Sequence, residues 1–277
     1  MADRPRIVMT LLVRDEQDVI AHNLRYHLAR GVDHVLVMDN LSTDATVSLV
    51  APFVAAGLVT LLREPDDNYA QGKWVTRMAK MARNEFGADW VINSDADEFW
   101  WPREGDLRTT LNAVPSGVDI VVAQRHDLSP VAGEQPFYDR MIWREVHSTN
   151  LLGRALPPKV CHRASADVLV HQGNHDVDGM TGSRLDDGHI EILHVPLRSY
   201  AQFRRKITLG SAAYSRNTEL PAGIGDAWRQ MGVVAEQGRL EQVYRSRELN
   251  EADGPAAVAA GTHVEDLRLR NALRALS

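Results

Sequence analysis

The stretch RIVMTLLVRDEQDVIAHNLRYHLARGVDHVLVMD, residues 6–39, decides the fold class. It opens on RIVMTLLV (6–13), a near-continuous aliphatic run of the kind found in strands buried on both faces. DEQDVIAHNLRYHLARG follows, with Ile20, Leu24 and Leu28 on one helical face and acids in the first turn. Gly31 stands where a helix C-cap is expected, and HVLVMD (34–39) is again a strand. Strand, helix and strand at this spacing predict a parallel pair with a crossover helix.

The alternation continues outward. STDATVSLVAPFVAAG (42–57) reads as a helix, LVTLL (58–62) as a third strand, GKWVTRMAKMARNEFG (72–87) as a third helix and WVINS (90–94) as a fourth strand. The expectation is an α/β protein with a mainly parallel central sheet flanked by helices. Beyond residue 103 the pattern loosens. DIVVAQR (119–125), DVLVHQ (167–172) and HIEILHV (189–195) read as strands, and SYAQFRRKITLGSAAYS (199–215) as a helix. NEADGPAAVAAG (250–261) reads as a linker before THVEDLRLRNALRAL (262–276), whose Val264, Leu267, Leu269, Leu273 and Leu276 share roughly one helical face.

The 277 residues carry a formal charge of −6, which gives no general electrostatic reason to bind DNA or RNA. The single cysteine, Cys161, excludes an intramolecular disulfide and a cysteine-based zinc site. No window matches a signal peptide or a membrane-spanning run, so the expectation is a cytoplasmic protein, with peripheral membrane contact left open.

Acids gather where the strands end. Arg14-Asp15-Glu16 follows the first strand, Asp39-Asn40 with Ser42-Thr43-Asp44 the second, and Asp95-Ala96-Asp97-Glu98 the fourth. Ligands of open parallel sheets bind outside the carboxyl ends of the strands. A D-x-D pair can present two carboxylates to one Mg²⁺ or Mn²⁺, with phosphate oxygens completing the shell, and such a metal makes a diphosphate a better leaving group. The competing structural account is a capping or ion-paired acid cluster, and for Asp44 a cap of the second helix is preferred.

The pieces LLVRDEQDVIAHNLRYHLARGVDHVLVMDNLSTDAT, INSDADEF, GNHDV and HVPLRSYAQFRRK, taken in this order, resemble the family-2-like glycosyltransferases of the GT-A fold, in the branch without a membrane segment. The likeness spans about residues 8–210. The first loop reads Arg-Asp-Glu where Arg-Asn-Glu is commoner, and residues 215–277 match nothing recognised. The resemblance implies a GT-A nucleotide-diphospho-sugar transferase domain over 1–215, with a nucleotide-sugar half (1–102) and an acceptor half (103–215). A helical C-terminal extension would cover 216–277.

It further implies a metal-dependent transfer, with inversion, from a nucleotide-sugar, UDP-linked by preference, to a carbohydrate, lipid or small-molecule acceptor. Asp39 would contact base or ribose, with Arg14, Glu16 and Asn40 as neighbours. Lys73 would close on phosphate, against the alternative of a salt bridge to Asp66 or Asp67. Asp97 would be the direct Mn²⁺ or Mg²⁺ ligand, Asp95 would serve ribose or a metal-bound water, and His194, at the end of a strand, would complete the shell. Inversion needs a base for the acceptor hydroxyl. Asp176, or His175 beside it, is the choice, although both lie in a polar turn. The basic run Arg198, Arg204, Arg205 and Lys206 would face a diphosphate or an anionic acceptor, or simply solvent. Two rivals remain. A nucleotidyltransferase would open with a Gly-rich loop after the first strand, and LLVRDEQD has no glycine. A non-catalytic nucleotide-sugar binder would lack the base.

Overall fold

The computed structural model describes residues 4–221, 223–250 and 252–276. Strands β1 (Ile7–Val13), β2 (His34–Asp39), β3 (Val59–Arg63) and β4 (Trp90–Ser94) alternate with helices α1 (Ile20–Ala29), α2 (Thr46–Ala55) and α3 (Gln71–Asn84). Next come β5 (Glu98–Pro102), α4 (Leu107–Asn112), β6 (Val118–Asp127), α5 (Phe137–Arg140) and β7 (Trp143–Glu145). Five strands follow: β8 (Lys159–Arg163), β9 (Leu169–Val170), β10 (Val177–Asp178), β11 (Ser183–Leu185) and β12 (Ile190–His194). The chain closes with α6 (Tyr200–Arg216), α7 (Asp226–Glu236), α8 (Leu240–Arg245), α9 (Asp253–Ala259), β13 (His263–Glu265) and α10 (Arg268–Ala275).

The main sheet runs β3-β2-β1-β4-β8-β6-β12-β5, with β11 pairing to β6. β1 lies parallel to β2 and β4, and β2 parallel to β3, as the alternation predicts. β8 is antiparallel to both β4 and β6, so the sheet is mixed beyond its first four strands. No periodic signal marks β8, because its partners are distant in the chain.

Two compact units divide the chain. The first unit holds residues 1–66, 70–124 and 157–192; the second holds 67–69, 125–156 and 193–277. In the first, one face of α3 buries Trp74, Val75, Met78, Ala79 and Ala82 with Val8, Leu36, Val91, Val122 and Val160. Thr10, Asn93 and His162 form a buried polar chain across three strands: Thr10 Oγ1 donates to Asn93 Oδ1 (2.8 Å), and Asn93 Nδ2 meets His162 Nε2 (3.0 Å). His162 Nδ1 donates to the Arg163 carbonyl at 2.8 Å, which favours the charged ring, but burial outweighs it and depresses the pKa to about 4.

In the second unit, α6, α7 and α8 surround a core of Leu197, Phe203, Ile207, Met231, Leu240 and Tyr244. Here two expectations fail. The segment expected as a linker contains α9, and the helix expected over 262–276 begins as β13, paired antiparallel with β7. Val264 therefore belongs to a strand, while Leu269 and Leu273 are the buried residues of α10. Among the described residues no helix is long and apolar enough to cross a membrane.

Candidate active site

The strand register aligns the polar ends of the first unit. Val13 pairs with Asp39 and Asp39 with Arg63, so the loops after β1, β2 and β3 leave the sheet on one edge. The loop after β1 is tied to the loop after β2. Asp15, at φ 54, accepts from the Thr43 N–H (2.7 Å) and the Asp44 N–H (3.2 Å), while its own N–H donates to Ser42 Oγ (3.0 Å). Left-handed backbone suits Asn and Asp better than most residues, which accounts for an aspartate here. Glu16 is buried, and its N–H donates to Thr46 Oγ1 at 2.8 Å. Asp44 accepts from the N–H of Thr46, the first residue of α2, at 2.9 Å, while Ala45 takes the N-cap position itself.

Asp39 is nearly inaccessible. Its Oδ2 takes Arg63 at 2.6 Å, while its Oδ1 is buried with no hydrogen-bond partner. Asn40 spends its amide on the Glu64 and Asp66 carbonyls (3.1 and 2.7 Å) and so shapes the loop after β3. Lys73 stands exposed in the first turn of α3 and forms neither of the salt bridges considered for it.

The D-x-D sequence forms a tight turn between β4 and β5. The Glu98 N–H donates to the Asp95 carbonyl (3.2 Å), and the Asp95 N–H donates to Glu98 Oε2 (3.1 Å). Asn23 of α1 braces the turn from below, donating to the Ala96 and Glu98 carbonyls, both at 2.9 Å. Asp97 is 1% exposed and Glu98 fully buried. Asp95 meets three donors: Lys159 Nζ at 2.7 Å, Gln71 Nε2 at 3.2 Å and Asn174 Nδ2 at 3.3 Å. Lys159 also reaches Glu98 Oε1 at 3.0 Å and is itself fully buried.

Sequence reasoning missed Gln71, Lys159 and Asn174. The available signals were a lysine leading the apolar run KVC and the glycines beside the two amides. A Cβ on Gly72 would lie 2.9 Å from the Val170 carbonyl oxygen, so only glycine permits this approach. There the Gly72 N–H donates to Gln172 Oε1 (2.9 Å) and the Gly173 N–H to Gln71 Oε1 (3.1 Å). These bonds aim Gln71 and Asn174 at the same carboxylate.

The two candidates for the base differ in their surroundings. Burial acts to raise the Asp176 carboxyl's pKa, but bidentate Arg184 (2.6 and 3.2 Å) and the Val177 N–H outweigh it and hold it below the usual range. Asp176 is therefore a weak proton acceptor. His175 Nδ1 donates to the Pro158 carbonyl at 3.0 Å, which leaves Nε2 as the lone-pair nitrogen.

His194 lies in the second unit, at the end of β12. Its Nδ1 is 2.7 Å from Asp127 Oδ1, the carboxylate–imidazole pairing that orients metal-ligating histidines. Nearby in chain and sheet, Ser129 Oγ contacts Glu145 Oε1 (3.3 Å) and His263 Nε2 (3.0 Å). Burial and the Asp127 charge push Glu145 up to about 7. His171 and His189 pair with Asp178 and Asp187.

Among the described residues no three His, Cys, Asp or Glu side chains form a ready-made metal cluster. Mg²⁺-type sites commonly use one or two carboxylates plus substrate phosphates rather than an all-protein cage.

No curated protein matches this chain. Solved structures with which it shares a likeness include a fragment of TarS from S. aureus, 13% identical over 86% of this chain and 81% of that one, at a TM-score of 0.45. Another is the mannosyltransferase PcManGT from Pyrobaculum calidifontis in complex with GDP-Man and Mn²⁺, 18% identical over 99% of this chain and 80% of that one, at 0.44. The family model described as glycosyl transferase family 2 matches residues 13–175, more than half of the chain and the whole run from the end of β1 through the D-x-D turn to His175. The chain therefore belongs to glycosyl transferase family 2.

Proposed function

We propose that the protein transfers a sugar from a nucleotide-diphosphate donor, UDP-linked, to a hydroxyl acceptor with inversion, using Mn²⁺ or Mg²⁺ bound together with the diphosphate. The observation that carries the reading is Asp39: a buried carboxylate at the ligand edge of a parallel sheet, with one oxygen unsatisfied. Buried acceptors are nearly always paired, and an exception calls for a reason. A nucleoside N–H or hydroxyl donating to Asp39 supplies one. Arg14 and Glu16 stand in the neighbouring loop, and Lys73 offers an exposed cation for phosphate.

A divalent cation would be held by Asp97 and the diphosphate oxygens and would neutralise the leaving group's charge. The protein's own part is to present Asp97 at the tip of a braced turn, to orient Asp95 toward ribose or a metal-bound water, and to accept the acceptor's proton. His175 Nε2 suits the last role better than Asp176, whose basicity is reduced by Arg184.

The test is a thermal-shift panel of nucleotide-sugars, each with and without Mn²⁺. A ligand of the native state raises the melting temperature by mass action. UDP or a UDP-sugar should do so only with metal present, and Mn²⁺ alone should do little. Unchanged UDP-sugar binding in EDTA would remove the metal from the reading. Binding without transfer or donor hydrolysis would leave a nucleotide-sugar-binding protein instead of an enzyme.

A further inference from the structure

Lys159 is an anomaly for its residue type. Lysine is almost never fully buried unless paired, yet this side chain is 1% exposed at the start of β8, inside the sheet. Glu98, fully buried, needs a cation and has one at 3.0 Å. Asp95 does not. Its side chain is 33% exposed and could keep its charge in water, but its contact with Lys159 is the shorter of the two, 2.7 Å. The second pairing does little for the fold and a good deal for where Asp95 points. Gln71 and Asn174, from two other segments, close on the opposite oxygen of the same carboxylate. A lysine, a glutamine and an asparagine thus hold one side chain from three directions.

The charges also count. Asp95, Asp97 and Glu98 carry three formal negative charges, and Lys159 brings one positive charge to two of them.

We infer that Lys159 is a positioning residue for donor binding: its buried ammonium fixes Asp95 beside Asp97 and cancels one of the turn's three charges. The inference rests on the donor reading above and deepens it. A preorganised carboxylate binds without first being ordered, so the benefit appears as diphosphate affinity. The nucleoside end, around Asp39, is untouched.

The test uses the full chain carrying Lys159→Met with Glu98→Gln, which removes both members of the buried pair together, a change that buried ion pairs often tolerate. Calorimetry reads UDP and uridine affinity, the former in Mn²⁺, and circular dichroism reads the fold. The double variant should stay folded, lose at least tenfold in UDP affinity and bind uridine unchanged. Asp95→Asn should show the same loss, and adding it to the double variant should bring little more, because Lys159 acts through Asp95. Lys159→Gln, which keeps a donor for Glu98, should behave like the double variant and serves as a second route to a folded protein. Wild-type UDP affinity in a folded Lys159 variant overturns the inference and leaves the donor reading standing, as does a loss confined to Asp95→Asn. Failure of every Lys159 variant to fold overturns it in favour of a purely structural lysine. If the unaltered protein binds no UDP in Mn²⁺, the donor reading falls, and this inference with it.

Discussion

Replacing Asp39 by alanine separates a residue kept for a ligand from one kept for the fold. In the folded protein the carboxylate has one partner, Arg63, whose side chain is 59% exposed. An ion pair with so solvated a cation contributes about 0–1 kcal/mol. Against that stands the buried, unpartnered Oδ1, an arrangement that costs roughly 1–3 kcal/mol in lost hydration. Removing the carboxylate should therefore leave stability unchanged or raise it, by up to about 3 kcal/mol. The same change removes the acceptor of a charged hydrogen bond from uracil or ribose, worth about 1.5–3 kcal/mol. That corresponds to about a 10- to 150-fold loss of nucleoside affinity. Urea unfolding measures the first quantity and calorimetry with uridine and UDP the second. The uridine loss should persist in EDTA, since this contact does not pass through the metal. A variant destabilised by more than 2 kcal/mol that binds uridine normally refutes the reasoning, because Asp39 would then be serving the fold.

Four further outcomes are expected. Asp97→Asn should abolish donor turnover with the fold intact, weakening UDP but not uridine binding; a profile matching Asp39→Ala would erase the division into nucleoside and metal ends. His194→Ala should weaken Mn²⁺ affinity in the presence of UDP more than it weakens uridine binding, and an unfolded variant with intact metal affinity would reduce His194 to a structural partner of Asp127. His175→Ala should lower kcat by about 10²–10⁴ with UDP affinity unchanged, while Asp176→Asn changes kcat little; the reverse order would return the base to Asp176. The acid limb of stability should carry the signature of His27, whose pKa burial depresses to about 3. Its Nε2 accepts the Trp100 N–H at 3.1 Å, so a second ring proton has nowhere to go. The folded-state value lies below the unfolded one, so this contribution is complete above about pH 6.5 and is lost as pH falls toward 3. Tm should drop across that window, and a folded His27→Gln variant should flatten the slope by up to about 1.4 kcal/mol per pH unit.

Much of the fold was legible before any coordinates because its signals are local. Ile20 and Leu24 repeat on a helical face, β1 and β2 are continuous apolar runs, and each burial pattern is set by neighbours a few residues away. The same locality placed Asp39 and the D-x-D turn at the carboxyl ends of the strands, since parallel strands linked by helices must end on one side. Long-range pairing left no such trace. β13 could be mistaken for part of a helix because its partner, β7, lies over a hundred residues earlier, and β8 enters the sheet antiparallel for reasons that reside in β4 and β6. The acids after β4 were visible in the sequence; what meets them was not. Lys159, Gln71 and Asn174 come from three separate segments, and their convergence on Asp95 depends on distances that chain spacing does not encode. Burial did the rest: only the packed interior, where an unpaired charge is costly, turns a lysine that the sequence leaves unremarked into the cation at the centre of the turn.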